Sequence, residues 1–429
     1  MKYLPIDASL FIKNRKKLAE RMAPKSLAIF NANDIMPTNA DGTMPFRQNN
    51  DLFYLSGVDQ EDSILVVFPD APNAKHKEIL FLKETNEEIA IWEGEKLTKE
   101  KAVESSGVET IVWLQDFEKT LQTIIFEADT VLLNDNEHLR QGNEVETRDD
   151  RFRKWCKEKF PNHNYGRVAP IMDYLRSVKE PEEIEMMQEA CNITAKAVDR
   201  ALKFIKPGVM EYEIEAELMH EFLRNRSRGF AYTPIIASGF NACVLHYIEN
   251  NQECKEGDVI LMDMGAEYGN YASDLTRSIP VSGKFTARQK EVYNAVLSVM
   301  KDAMDLLKPG VLLADYHKQV GELMTIQLLK LGLISQAEVD NENPDWPAYK
   351  KYFMHGTSHY IGLDVHDVGS WYKPIEAGMV FTVEPGIYIR EENLGIRLEN
   401  DILITENGYR DLMAHIPLEA DDVEAAMKA

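Results

Sequence analysis

Short apolar runs punctuate the first third of the chain: "SLAIFNA" (26–32), "SILVVFPD" (63–70), "EILFLK" (78–83) and "ADTVLLND" (128–135). Each is rich in Ile, Leu, Val or Phe, shows no polar alternation and is too short for a typical helix. That is the pattern of strands buried on both faces. Segments with helical spacing, such as 114–126, lie between them. The alternation predicts an α/β domain around a largely buried sheet. The N-terminus, "MKYLPIDASLFIKNRKKLAERM", reads as a strand or loop running into a helix. "FPNHNYGRVAP" (160–170) reads as a join, placing a first domain at 1–170 and a second at 171–429. In the second, Pro181 and the glutamates after it open a long helix, since proline fits a first helical turn and acids complement the helix dipole there.

From that helix on, the chain repeats itself. "ALKFIKPGVMEYEIEAELMHEFL" begins at Ala201 and "AMDLLKPGVLLADYHKQVGELM" at Ala303; both predict helix, Lys-Pro-Gly-Val turn, helix. "EGDVILMDMGAEY" (256–268) resembles "EAGMVFTVEPGIY" (376–388), which aligns Gly257 with Gly378 and Asp263 with Glu384. The second match is spaced more widely than the first, so an insertion falls in the second half, within "ISQAEVDNENPDWPAYKKYF" (334–353). Two similar halves predict a pseudo-twofold domain with its site at the junction.

Each half contributes acids to that junction. Asp263 sits inside the apolar strand "DVILMDMG", and the chain returns as "YASDLTRSI". A hairpin turning between Tyr268 and Gly269 sets Asp263 directly opposite Asp274. In the second half, a turn centred between Glu391 and Glu392 sets Glu384 opposite Glu399. Carboxylates inside apolar strands are costly unless their charge is compensated. One or two divalent metals solve this, and four carboxylates with a histidine form a set suited to Mn²⁺, Fe²⁺, Co²⁺ or Zn²⁺. Three of the ten histidines, His355, His359 and His366, crowd into "HGTSHYIGLDVHDVG" (355–369). His359, central and flanked by Gly356 and Gly362, is the best candidate ligand. His366 precedes Glu384 much as His246 in "NACVLHYIEN" precedes Asp263, so these two read as counterparts facing the site from opposite sides.

Composition narrows the setting. With 429 residues there is room for two full cores. A net charge of −23 repels phosphate backbones, which argues against nucleic acid as a partner. No stretch is long and apolar enough to span a membrane, and no signal-peptide pattern opens the chain. Cys156, Cys191, Cys243 and Cys254 are scattered without a Cys-x-x-Cys pair, as suits a reducing, cytoplasmic setting.

At this point the motifs match a known group. "HGTSHYIGLDVHD", "MDMGAEYGNYASDLTRSI", "VEPGIY" and "GIRLENDILIT" resemble the signatures of the pita-bread metallopeptidases (family M24), and are most similar to its Xaa-Pro aminopeptidase (aminopeptidase P) branch. The resemblance is strong over 175–429. It reaches the N-terminal region through "MPFRQNNDLFYLSGV" (44–58), which is similar to the creatinase-like N-domain. It implies an α/β N-terminal domain plus an α+β pita-bread (creatinase/aminopeptidase) C-terminal domain with a pseudo-twofold internal repeat. It further implies two divalent metals, usually manganese, held by Asp263, Asp274, His359, Glu384 and Glu399 around a bridging water. Glu384 would be the general base, His246, His355 and His366 would orient substrate and stabilise the tetrahedral intermediate, and Arg397 would support the site electrostatically. The reaction implied is hydrolysis of the bond between an N-terminal residue and a following proline, by a homo-oligomer (dimer or tetramer). Prolidase, restricted to dipeptides, is the near alternative; a metal-free pita-bread binding protein is a further one. Asn400 departs from the acid that family members often carry after the ligand glutamate.

Overall fold

A computed structural model describes residues 2–142 and 144–428, which divide into two units, essentially Tyr3–Arg176 and Ser177–Ala429. The division falls at Arg176/Ser177 rather than at 170/171. The reason is local: the helix Ala169–Ser177 runs on across the expected join, and Arg176 stays with the first unit through an ion pair to Asp51 at 3.0 Å.

Among the described residues the first unit is built on six strands: β1 (Ser26–Asn31), β2 (Ser63–Val67), β3 (Glu78–Leu82), β4 (Thr110–Trp113), β5 (Thr130–Leu133) and β6 (Asn164–Arg167). They line up as β4-β3-β2-β1-β5-β6, with β2 antiparallel to both neighbours and the other pairings parallel. Every residue of β1 and β2 is buried, which explains their unalternated apolar sequence. One face carries Leu27, Ile29, Val66, Ile79 and Phe81 against Phe117, Leu121 and Ile125 of the helix Phe117–Ile125. The four apolar runs all became strands. The short β4 and the polar β6, "NYGR", gave no such signal in the sequence.

The second unit opens with the helix Pro181–Phe204, with Pro181 in its first turn and the Glu183 side chain accepting from the Glu180 N–H at 2.8 Å. Its strands are β7 (Ile235–Ser238), β8 (Val259–Met264), β9 (Glu267–Tyr268), β10 (Tyr271–Ala272), β11 (Leu275–Pro280), β12 (Val380–Val383), β13 (Gly386–Ile389), β14 (Leu394–Arg397), β15 (Asn400–Thr405) and β16 (Gly408–Asp411).

The repeat is physical. After the first Lys-Pro-Gly-Val turn, Gly208 N–H donates to Cys254 O at 2.9 Å and Cys254 N–H to Val209 O at 2.8 Å. After the second, Gly310 N–H donates to Ile375 O at 2.9 Å and Ile375 N–H to Val311 O at 2.8 Å. The predicted insertion forms a short helix, Gln336–Asp340, and a turn at Ala348–Lys351, neither with a buried residue.

The second-half register came out as expected. Val383 pairs with Asn400 and Gly386 with Arg397, one alignment on both sides of a gap that holds Glu384 and Glu399. The first-half register did not. Thr276, not Asp274, stands opposite Asp263. The hairpin turns at Gly269-Asn270, with φ of 60° and 69°. Two positive φ values make a type I′ turn, whose twist matches the strands it joins. That places the turn one residue later and slides the partner by two.

Candidate active site

The two halves meet along β11 and the segment 397–399. Glu399 N–H donates to Thr276 O at 3.1 Å, and Arg277, fully buried, donates from Nη1 to Glu399 O at 2.7 Å. Glu384 N–H turns instead to Thr357 O at 2.8 Å. The two glutamates therefore leave their ladders, which is why they lie in a gap, and their backbones stitch one half to the other and to the histidine segment.

Side chains converge at this seam. Single ligand atoms of Asp274, His359 and Glu399 lie within 4.8 Å of one another. His359 Nε2 is 3.4 Å from Asp274 Oδ2 and 3.7 Å from Glu384 Oε1. Its other nitrogen, Nδ1, is 3.0 Å from the carbonyl of Tyr360, which holds a proton there and turns Nε2 toward the carboxylates. Asp263 joins through two groups. The Tyr232 hydroxyl lies 2.6 Å from Asp263 Oδ1 and also contacts Asp274, while Arg397 grips the second oxygen of Asp263. The four predicted acids and His359 are thus brought together. Asp263 and Asp274 are diagonal neighbours rather than opposed, still within reach of a shared partner.

Electrostatics follow from burial and crowding. Burial, reinforced by Asp274, pushes the Asp263 carboxyl up against the pull of Arg397. Glu384 is lifted to about 7 by burial, and Glu399 well above the usual range by burial and three neighbouring carboxyls. Burial opposes a charge on His359, but Asp274 and Glu384 outweigh it and carry the imidazole to about 9. Carboxyls so stressed and a histidine drawn toward its cation describe a pocket of negative potential. A divalent cation among them would favour their charged forms instead. One nitrogen and several hard oxygens are the donors that first-row divalent metals take.

The remaining predicted residues surround this core. His355 Nδ1 is 2.7 Å from Gly356 O, its Nε2 accepts from the Tyr388 hydroxyl at 2.7 Å, and that hydroxyl accepts from Arg397 Nη1 at 2.9 Å. With both nitrogens engaged, and burial and Arg397 disfavouring its charge, the ring is held neutral, down to about 3. His366 packs edge-on against His359, centroids 4.4 Å apart, and His246 lies close enough to His355 to act on its charge. Both are exposed.

Sequence reasoning missed Tyr232, Thr276, Tyr388 and Asp401. Thr276 Oγ1 donates to Glu399 Oε2 at 2.6 Å and accepts from Arg397 Nε at 3.2 Å. Its position two residues after Asp274 on a strand was the available signal. Asp401, buried, accepts Asp274 N–H at 3.0 Å. Tyr232 had no signal; the turn that delivers it precedes β7 without periodicity. Asn400 finds its reason here: its Oδ1 accepts from Arg277 at 2.8 Å and its Nδ2 donates to Asp411 at 2.7 Å, a bridge between cation and carboxylate that an acid cannot make.

Comparison with known proteins identifies the family. Residues 185–406 match the model of metallopeptidase family M24, and residues 11–133 that of the aminopeptidase P N-terminal domain. The Xaa-Pro aminopeptidase of Escherichia coli is 35% identical, covering 99% of this chain and 98% of its own. Human Xaa-Pro aminopeptidase 3 is 33% identical over 88% of this chain and 76% of its own. Zinc-substituted aminopeptidase P of E. coli in complex with product superposes with a TM-score of 0.90 at 34% identity, covering 99% of each chain.

Proposed function

The chain belongs to metallopeptidase family M24, and from that premise we propose that it is an Xaa-Pro aminopeptidase, releasing the N-terminal residue of peptides with proline at the second position. The observation that carries this is the convergence of Asp274, His359 and Glu399, flanked by Asp263 and Glu384, at the seam of the two halves. In this reading the five hold two divalent metals, with manganese preferred among Mn²⁺, Zn²⁺, Co²⁺ and Fe²⁺. Bound metal supplies an acidified water and polarises the scissile carbonyl.

The chain's own groups do the rest. Glu384, held beside His359, takes the proton of the attacking water and returns it to the leaving proline nitrogen. Arg397 keeps Asp263 in place and, through Tyr388, orients His355 beside Glu384, whose Oε2 is 3.8 Å away. In this arrangement His355 acts on position and potential rather than on substrate. His246 and His366, exposed on either side, face the peptide and stabilise the tetrahedral carbon's oxygen. Tyr232, a half-buried phenol whose ionisation desolvation and its carboxylate neighbours suppress, remains a donor to the two aspartates.

A cytoplasmic setting completes the reading, supported by four cysteines that are all buried and unpaired; no helix among the described residues is long and apolar enough to cross a membrane. So does a homo-oligomer: Ile91 and Trp92, 78% and 83% exposed on one short helix, are apolar side chains that a second copy would cover.

The deciding experiment strips the protein of metal, adds back Mn²⁺ and follows release of the first residue from matched Xaa-Pro dipeptides and Xaa-Pro-Yaa tripeptides. Cleavage of both is expected. Cleavage of dipeptides alone would make the enzyme a prolidase, and no cleavage with any divalent metal would end the peptidase reading.

A further inference from the structure

The exposed histidines of the two halves, His246 and His366, are each followed by a buried residue, Tyr247 and Asp367. Both of these are pinned. Asp367 Oδ2 lies 3.4 Å from Lys179 Nζ, with both side chains 1% exposed. Tyr247 donates its hydroxyl to Glu211 Oε2 at 2.7 Å.

Glu211, the first residue of the helix Glu211–Arg224, is fully buried. It has four donors. Oε1 accepts from Ser238 N–H at 2.8 Å and Ser238 Oγ at 2.7 Å; Oε2 accepts from Tyr247 and, at 2.9 Å, from Gln252 N–H. One carboxylate therefore ties a helix start to the end of β7 and to both ends of 247–252, the segment that follows His246. Asn250 pins the middle, accepting Ile236 N–H at 2.9 Å and donating to Pro234 O at 3.1 Å.

The repeat tells whether the fold requires a carboxylate there. The two Lys-Pro-Gly-Val turns dock through equivalent hydrogen bonds, and in that alignment Glu211 falls on Leu313, a buried apolar residue. The second half thus starts the same helix with leucine, and anchors the segment of His366 from elsewhere, through Lys179. A buried carboxylate carries a desolvation cost that leucine does not. Helix docking does not explain that cost; the segment behind His246 does.

We propose that Glu211 is a positioning residue, acting through Tyr247 to fix where His246 stands beside the metal-binding carboxylates. This rests on the reading of His246 as a substrate-facing group. Glutamine is no substitute for Glu211, because either amide orientation sets an N–H against a backbone N–H, that of Ser238 on one side or of Gln252 on the other, and the segment must shift.

The test compares full-length, metal-loaded wild type, Glu211→Gln, Tyr247→Phe and His246→Ala, with both double variants that include His246→Ala. The readouts are kcat/KM on an Xaa-Pro-Yaa tripeptide, bound metal and Tm. Glu211→Gln is expected to lower kcat/KM about tenfold and Tyr247→Phe about threefold, since small misplacements of substrate-facing groups cost rate steeply. Bound metal stays unchanged. In the His246→Ala background each further loss falls below about twofold, the non-additivity of residues acting through one another. Equal losses with and without His246, or loss of metal along with activity, would make Glu211 a general support and overturn the proposal. Should Glu211→Gln not fold, Tyr247→Phe is judged by the same two criteria. If His246→Ala alone leaves kcat/KM intact, the reading of His246 fails first, and the proposal with it.

Discussion

The two halves of the catalytic unit place a carboxylate pair each at one seam, and they do so by different turns. The first half turns in two residues, Gly269-Asn270, and leaves Asp263 and Asp274 diagonal across the ladder. The second half takes four, Arg390 to Asn393, and leaves Glu384 and Glu399 aligned. Diagonal placement frees one oxygen of Asp263 for Arg397, while Asp274 turns toward His359. Aligned placement points both glutamates into the gap, where their longer side chains reach the same centre. A repeat thus need not copy its geometry to reproduce a site; side-chain length makes up what register gives away.

The comparison breaks hardest where both pairs depend on bound metal. Chelation should abolish peptide cleavage, and Mn²⁺ should restore it, as read by release of the first residue. Within the reloaded enzyme, Glu384→Gln should lower kcat by about 10² to 10⁴, the usual worth of a general base, while most of the metal stays bound. Loss of metal in step with activity would instead make Glu384 chiefly a ligand.

A buried carboxylate outside both halves supplies a control. Asp149, in the first unit, is pushed up to about 7 by burial and by Asp51, despite the hydrogen bond it accepts from Asn31 at 2.8 Å. Its folded value exceeds the unfolded one, so between about pH 4 and 7 the native state holds a proton that the unfolded chain does not. Stability from this group is therefore greatest at the acid end and falls as pH rises to 7. Asp149→Asn should flatten that slope and add on the order of a few kcal/mol at pH 8, measured by urea unfolding with tryptophan fluorescence. A variant with the wild-type slope would assign the pH dependence to other groups.

Tyr388 is the next step down, because it links the halves only indirectly. Removing its hydroxyl by Tyr388→Phe unties His355 from Arg397 without touching a carboxylate. We expect about a tenfold loss in kcat/KM, in line with one charge-assisted hydrogen bond, at unchanged metal content. A loss above a thousandfold would mean that the hydroxyl contacts the reacting atoms itself.

Much of this site could be read from the chain because its chemistry is dear: a carboxylate in an apolar strand must have a reason. Asp263, Glu384 and Glu399 announced themselves that way, and His359 through its glycine-flanked setting. What stayed hidden was of two kinds. Tyr232, Tyr388 and Thr276 are ordinary residues in strands or turns, and only the fold makes them neighbours of the acids. The hairpin register failed for a smaller reason, since "YGNY" offers a turn before or after Gly269 and only the paired positive φ values decide between them. In the first unit, β6 went unseen because an edge strand such as "NYGR" needs no apolar pattern to pair.

The smallest effects separate the turns themselves. Gly269 has φ of 60° inside a turn with no spare residue, so Gly269→Val forces a branched side chain into a left-handed conformation at a cost of about 1–2 kcal/mol. The strain has two outlets, and both lead to the seam: unfolding, read as a lower Tm, or a slipped register that moves Asp274 away from His359 and weakens metal binding. Asn393 holds a similar φ of 52° at the end of the longer turn, and asparagine tolerates that region. Asn393→Gly should therefore change stability by less than about 0.5 kcal/mol, the easier native conformation being offset by a freer unfolded chain. Metal affinity should be unchanged there, because four residues can absorb a local change before it reaches Glu384. Equal sensitivity at the two turns would show that register is held by the strands and their hydrogen bonds across the seam, and that the tight turn merely follows.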